Sequence, residues 1–324
     1  MISNDNVLEV QDLKTHFYTS RGVVKAVDGV SFALKRGEAL GLVGESGCGK
    51  SITCFSLIRL VPRPAGRIVG GKVLLEGEDL LTKNEKEMTK IRGKRITMIL
   101  QDPMMSLNPV FTIGEQITET IRVHQKLGKM EIWEKVKEML RLVRIPSPEV
   151  RMREYPHQMS GGMRQRISGA IALSCQPSVL IADEATTALD VTIQAQFLSL
   201  FKEIQEQANL SMIVVTHDFG IVARACDRVA VMYAGKIVEN AETRELFNNP
   251  AHPYTIALLN SLPKMEMKVD TLYSIEGQPP ELHALPPGCS FAPRCSHVME
   301  ICQREYPPQK EVAPGHFARC WLKG

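Results

Sequence analysis

The chain has 324 residues, about two domains' worth, with 44% apolar and 23% charged residues, as in ordinary soluble globular proteins. Its 39 basic and 36 acidic residues leave a net charge of +3, too small for a bulk nucleic-acid polycation. No apolar run reaches the roughly 18 residues that a membrane helix needs, and the opening MISNDNVLEV is too polar for a secretory signal, so any action at a membrane is expected to pass through a partner.

In chain order, VLEVQDL alternates as a strand, TSRGVVKAVDGVSFAL follows as strand with internal turn residues, and ALGLV is an apolar strand leading into glycines. A helix is expected to start near Lys50 and run through ITCFSLIRL. KVLLEGEDL reads as a strand pair around Gly77 and RITMIL as a buried strand. Residues from about 102 to 173 read as mostly helical. SVLIAD and SMIVVTH are short apolar strands of the kind buried on both faces of a parallel sheet. RVAVMYAGKIVEN reads as a hairpin. Alternating strand and helix patterns predict an α/β domain.

Residues 44–51 read GESGCGKS, the complete G-x-x-x-x-G-K-[ST] phosphate loop, between a strand and a helix. A triphosphate must be held closely without a bulky wall. Gly44, Gly47 and Gly49 let backbone N–H groups point inward at a helix N-terminus, with Glu45, Ser46, Cys48 and Ile52 completing the cradle. Lys50 supplies a charge for the β- and γ-phosphates, and the Ser51 hydroxyl a ligand for Mg²⁺. Cys48 fills a variable position. A helix dipole could lower its pKa and make it reactive.

Asp183 and Glu184 stand at the C-terminal end of an apolar strand, the edge where ligands bind in open α/β sheets. Asp183 suits Mg²⁺ and Glu184 suits a base that polarises attacking water. Alone, an Asp-Glu pair there is a solvated turn; the phosphate loop upstream favours the catalytic reading. His217, ending SMIVVTH, is expected on the same edge, in reach of a γ-phosphate. In HQMSGGMRQRISGAIAL, Ser160 is a good N-cap, and Gly161 and Gly162 permit close approach at a second helix N-terminus.

Taken together, the phosphate loop, Gln101 after RITMIL, the SGG helix start and the Asp-Glu pair closely resemble the ATP-binding cassette (ABC) family over about residues 7–247. The resemblance implies a RecA-like P-loop NTPase fold with antiparallel β and helical subdomains. It implies that Phe17, or less well Tyr18, stacks on adenine. Gln101 would sense Mg²⁺ and water and contact a transmembrane partner. Ser160, Gly161 and Gly162 match the signature motif, Asp190 the D-loop and His217 the switch histidine. Two cassettes would then pair head to tail around ATP. Met163 stands for the commoner Gln but lies past the glycines, so backbone contacts to phosphate are expected to survive; Ala185 stands for the commoner Pro, a loss of rigidity that could loosen the loop but removes no catalytic group.

Beyond about residue 248 the composition shifts. Eleven of the nineteen prolines lie at or after Pro250, which predicts a largely irregular tail, so domains are expected at 1–248, with the helical subdomain at about 102–173, and at 249–324. HPYT, GQPPELHALPPGCSFAPRC and HFARCW resemble the C-terminal extension of oligopeptide and dipeptide importer ATPases, as do SLNP and ALDVTIQAQ. That resemblance implies two permease subunits, an extracytoplasmic binding protein, an identical or paralogous second ATPase, and a place on the cytoplasmic face of the inner membrane of a bacterium or archaeon.

Cys289, Cys295, Cys302 and Cys320 cluster in the tail, whereas Cys48, Cys54, Cys175 and Cys226 are scattered. Clustered cysteines in a reducing compartment point to metal. The close C-x₂₋₄-C pairs of structural zinc are missing. A straight helix would separate Cys295 from Cys302 by about 10.5 Å along its axis, so a shared site needs a bend. Some chains resembling this one carry a 4Fe–4S cluster here, which makes that cluster the expectation, with zinc or no metal as alternatives. The competing functional readings are the same ATPase with another cargo (nickel chelate, glutathione or sugar), a soluble regulatory or nucleic-acid-associated cassette, and a binding module in which the tail senses iron or redox state.

Overall fold

The computed structural model describes residues 5–100, 106–185, 191–262 and 274–323. In order these form β1 (Asn6–Thr19), β2 (Gly22–Lys35), β3 (Ala39–Val43), α1 (Lys50–Leu57), β4 (Gly66–Leu75), β5 (Glu78–Asp79), α2 (Glu85–Ile91) and β6 (Ile96–Ile99). There follow α3 (Ile113–His124), α4 (Lys129–Leu142), α5 (Pro148–Arg151), α6 (Gly161–Leu173), β7 (Val179–Asp183), α7 (Val191–Ala208), β8 (Ser211–Thr216) and α8 (Phe219–Ala225). The chain closes with β9 (Arg228–Tyr233), β10 (Lys236–Glu242), α9 (Thr243–Asn248), α10 (Pro253–Asn260), α11 (Glu300–Arg304), β11 (Lys310–Ala313) and β12 (His316–Ala318). The residues fall into two compact units, one of 1–7, 34–38 and 82–215, the other of 8–33, 39–81 and 216–324.

In the first unit, β6, β7 and β8 run parallel, with Ile99 level with Ala182 and Asp183 level with Val215. Every β8 residue is buried, so the strand reads as one apolar run rather than an alternation. The expected helical stretch is present. Thr112 and Glu115 form a capping box at the start of α3, satisfying two N–H groups that a helix start otherwise leaves open. Ile113, Ile117 and Ile121 then fall on one face and are fully buried, at about 1.5–3 kcal/mol each.

In the second unit, β2, β1, β4 and β5 form an antiparallel sheet in that order. Leu8 stands opposite Leu75 and Val10 opposite Val73, and all four are buried. β4 and β5 pair around the turn at Glu76 and Gly77, as expected. β3 lies parallel to β9, and β9 turns back into β10 through Ala234 and Gly235, both at positive φ, giving the expected hairpin. The first helix ends at Leu57, one turn short of the expectation, because Arg59 takes a positive φ that leaves the helix.

The tail is more ordered than its prolines predict. β12 pairs antiparallel with β10 and with β11, so it extends the sheet of the second unit. An internal ion pair explains this. The Glu239 carboxylate on β10, 1% exposed, accepts from the backbone N–H groups of Ala251 (2.6 Å) and His252 (2.9 Å) and bonds His316 Nε2 on β12 at 2.8 Å. Burial pushes the Glu239 carboxyl up, but the His316 bond and the two N–H groups outweigh it and hold the group below its ordinary value. The same bond raises His316, and Glu245 beside it adds to the effect. His252, buried, accepts from Tyr254 N–H through Nδ1 at 3.0 Å, and burial lowers its pKa to about 4.

These shifts fix a pH window. A base whose pKa falls on folding costs stability once the pH drops below its unfolded value near 6.5, so His252 destabilises the tail from there down to about 4. Glu239 contributes above its unfolded value and loses that contribution as acid protonates it, whereas the charged His316 contribution is lost as pH rises through its raised pKa. Thermal melts are expected to show a loss from pH 6.5 to 4 that His252→Asn reduces by roughly 3 kcal/mol, since Asn keeps the capping acceptor without the titration. An unchanged acid limb in that variant would count against the assignment.

Candidate active site

The phosphate loop leaves β3 and enters α1. Gly44, Gly47 and Gly49 have φ of 151°, 80° and 107°. A Cβ at Gly44 would stand 2.2 Å from the Met232 carbonyl oxygen, and one at Gly49 2.1 Å from that of Ala26, so both positions exclude any side chain. Lys50 is 5% exposed, and its Nζ donates to the carbonyls of Gly44 (2.8 Å) and Glu45 (3.0 Å). The ammonium therefore lies across the mouth of the loop, where it can meet phosphate oxygens. Ser46 and Gly47 form the exposed lip, and Ser51 and Ile52 are half-buried in the first turn of α1.

Cys48 does not fit the reactive thiol considered from sequence. It is 5% exposed, and burial pushes its pKa up, outweighing the nearby Lys50. Its carbonyl accepts from Gly235 N–H at 2.9 Å, which pins the loop to the β9–β10 turn. On β1, Phe17 is half-buried opposite Gly66, with its ring edge packed against that glycine. Tyr18 is exposed and already lies under the Arg67 guanidinium, 5.5 Å from the ring centroid.

In the other unit, Asp183 ends β7 and is 4% exposed. Glu184 follows with φ 46°, and its N–H donates to Val215 O at 2.9 Å. Left-handed backbone at a non-glycine residue costs about 1–3 kcal/mol and persists where the surroundings impose it. Here the parallel register imposes it, turning the chain sharply at the carboxylate. His217 follows β8 and falls in the unit that holds the loop, exposed, just before the Asp218 cap of α8. Ser160 caps α6 by accepting from Met163 N–H at 3.3 Å. Gly161 has open space where a Cβ would stand, and Gly162 approaches Ile193 so closely that a Cβ would lie 2.8 Å from it. The helix start is thus bare backbone, with N–H groups open to an anion. Gln101 and Asp190 lie outside the described residues.

The structure thus brings the loop residues together in one unit, and the carboxylate pair and the SGG cap in the other. It also supplies two neighbours of the loop that the sequence did not mark. Tyr254 and Arg294 of the tail both bond Glu45. HPYT and APRC were visible only as tail motifs, and nothing local in them points to a loop some 200 positions earlier.

The four-cysteine metal centre expected in the tail is not supported. Among the described residues no three His, Cys, Asp or Glu side chains are arranged to hold a metal ion. Cys295 follows a single 3₁₀ turn and Cys302 lies in α11, so the chain does bend between them. None of the four is in a disulfide; burial raises Cys289 to about 11 and also raises Cys295 and Cys320, and the neighbouring thiols add to each rise. The donor set as arranged does not fit a 4Fe–4S cluster or zinc.

The ABC transporter family model matches residues 27–187, and that of the oligopeptide/dipeptide transporter C-terminal region matches residues 238–302. The chain is 50% identical to the dipeptide transport ATP-binding protein DppD of Bacillus subtilis, over 98% of this chain and 95% of that one. It is 46% identical to the oligopeptide transport ATP-binding protein OppD of Escherichia coli, over 98% and 93%. Among solved structures, the ATP-binding cassette MJ0796, a dimer in a post-hydrolysis state with ADP and Pi, superposes with a TM-score of 0.66 at 23% identity, over 73% of this chain and 99% of that one. That likeness establishes the cassette fold.

Proposed function

The chain belongs to the ATP-binding subunits of oligopeptide and dipeptide ABC transporters and hydrolyses ATP, and from that premise we propose that it energises peptide uptake across a bacterial cytoplasmic membrane. It sits on the inner face against two transmembrane permease subunits, while an extracytoplasmic binding protein delivers dipeptides or oligopeptides. No described helix is long and apolar enough to cross a membrane.

A second cassette, identical or paralogous, pairs head to tail with this one. Residues 44–52 cradle the phosphates, Lys50 neutralises their charge, and Phe17 stacks on the base. Ser160, Gly161 and Gly162 cap the nucleotide of the opposite cassette, with Asp190 at the seam. Ser51, Gln101 and Asp183 would hold Mg²⁺, which would supply charge neutralisation for the phosphates. Glu184 orients and deprotonates the attacking water, and His217 meets the γ-phosphate. Residues 1–248 form the ATPase and 249–324 its extension.

Support for the reading comes from a loop in which Gly44 and Gly49 leave no room for side chains, on a chain whose tail matches the peptide-transporter extension. Coexpressed with candidate permease subunits of a peptide importer, the chain is expected to copurify with two membrane subunits. Vesicles carrying them are expected to take up labelled dipeptide only with ATP inside the accessible compartment. Copurification with nucleic acid, or uptake of a nickel chelate, glutathione or sugar instead of peptide, would overturn the cargo assignment.

A further inference from the structure

One residue of the phosphate loop is held by the tail at two independent points. The Glu45 N–H donates to Tyr254 Oη at 2.9 Å. Its carboxylate receives both arms of Arg294, Nη1 to Oε2 at 2.7 Å and Nη2 to Oε1 at 3.0 Å. The Glu45 carbonyl meanwhile accepts from Lys50 Nζ at 3.0 Å. Tail, loop and phosphate-binding lysine are thus joined through a single residue.

Both tail groups are rigidly mounted. The Arg294 side chain is 4% exposed, and its Nε donates to Glu276 O at 3.0 Å. Tyr254 is fully buried, packed against Tyr233 and Phe291 with ring centroids 4.5 Å and 5.4 Å away. Tyr233 ends β9, next to Met232, whose carbonyl walls in Gly44. A two-armed guanidinium–carboxylate pair fixes direction as well as distance. It also cancels a negative charge that would otherwise stand beside a polyphosphate.

We propose that the tail is a positioning element for the nucleotide site: Arg294 and Tyr254 hold Glu45 so that the phosphate loop is preset for MgATP, and Arg294 shields the phosphates from the Glu45 charge. The inference rests on the ATPase reading. It gives the extension a task in nucleotide affinity, distinct from contact with permease or cargo. Arg294 and Tyr254 are positioning residues; neither touches the reacting atoms.

The test measures displacement of trinitrophenyl-ATP by MgATP, with thermal melting alongside, on the full chain. Arg294→Ala is expected to weaken MgATP binding about tenfold or more and raise KM with a smaller change in kcat, since repulsion and loop disorder act on binding. Arg294→Ala with Glu45→Gln is expected to recover most of that affinity, because it removes the unpaired carboxylate. Tyr254→Phe is expected to weaken binding about threefold. If Arg294→Ala does not fold, the double variant and Tyr254→Phe carry the test, since neither leaves a buried charge unpaired. Folded variants whose affinities stay within twofold of the parent chain, whatever their melting temperatures, would overturn the inference while leaving the ATPase reading in place. A parent chain that fails to bind MgATP would overturn both.

Discussion

Glu184→Gln is expected to lower kcat for MgATP by about two to four orders of magnitude while nucleotide still binds. Gln has nearly the same shape and meets the same backbone strain at φ 46°, so the turn at the end of β7 and the neighbouring Asp183 stay as they are. What disappears is the negative charge proposed to draw a proton from water. Binding without hydrolysis should trap the closed pair of cassettes, visible as an ATP-dependent dimer in size-exclusion chromatography. The measurement is steady-state phosphate release together with dimer lifetime. Turnover near that of the parent chain would remove Glu184 as the base and leave water activation to some other group.

Gly49→Ala should abolish measurable MgATP binding by a different route. Its φ of 107° is hostile to any Cβ, and the Ala26 carbonyl oxygen stands 2.1 Å from where that Cβ would go. Backbone strain alone costs at least about 1–2 kcal/mol, and relieving the clash requires the start of α1 to move. Lys50 follows immediately and would move with it. Gly47→Ala is the control, because nothing lies within 4 Å of its would-be Cβ and only the strain at φ 80° remains. Nucleotide titration and thermal melting should therefore separate the two variants, with Gly49→Ala losing binding and Gly47→Ala retaining a weakened site. Equal affinities for both would show that the wall formed by Ala26 does not govern the loop.

The parts of this molecule that repeat a local physical rule could be read directly from residues. A phosphate loop needs glycines where backbone must crowd a neighbour, and GESGCGKS places them there. Apolar runs such as SMIVVT are buried on both faces because a parallel strand is covered on both sides. The cap at Ser160 follows from unpaired N–H groups at a helix start. Other features depend on partners far along the chain. Eleven late prolines argue for an irregular tail, yet Glu239 and His316, 77 positions apart, tie β12 onto the sheet. Cys48 reads as incidental in the sequence, with a helix dipole that could lower its pKa, and burial among distant residues raises it instead. Four clustered cysteines argued for a metal centre, whereas ligation depends on where the thiols point in space.

Sequence by itself determined the cassette, its phosphate loop and the carboxylate pair, because each is specified by residue types within a few positions of one another. Only the tertiary structure decided what surrounds them. The left-handed turn at Glu184 arises from the register between β7 and β8, and the grip of Arg294 on Glu45 joins residues 249 positions apart. Such contacts are selected by packing across the folded unit, and a linear pattern carries no record of which distant side chain will arrive.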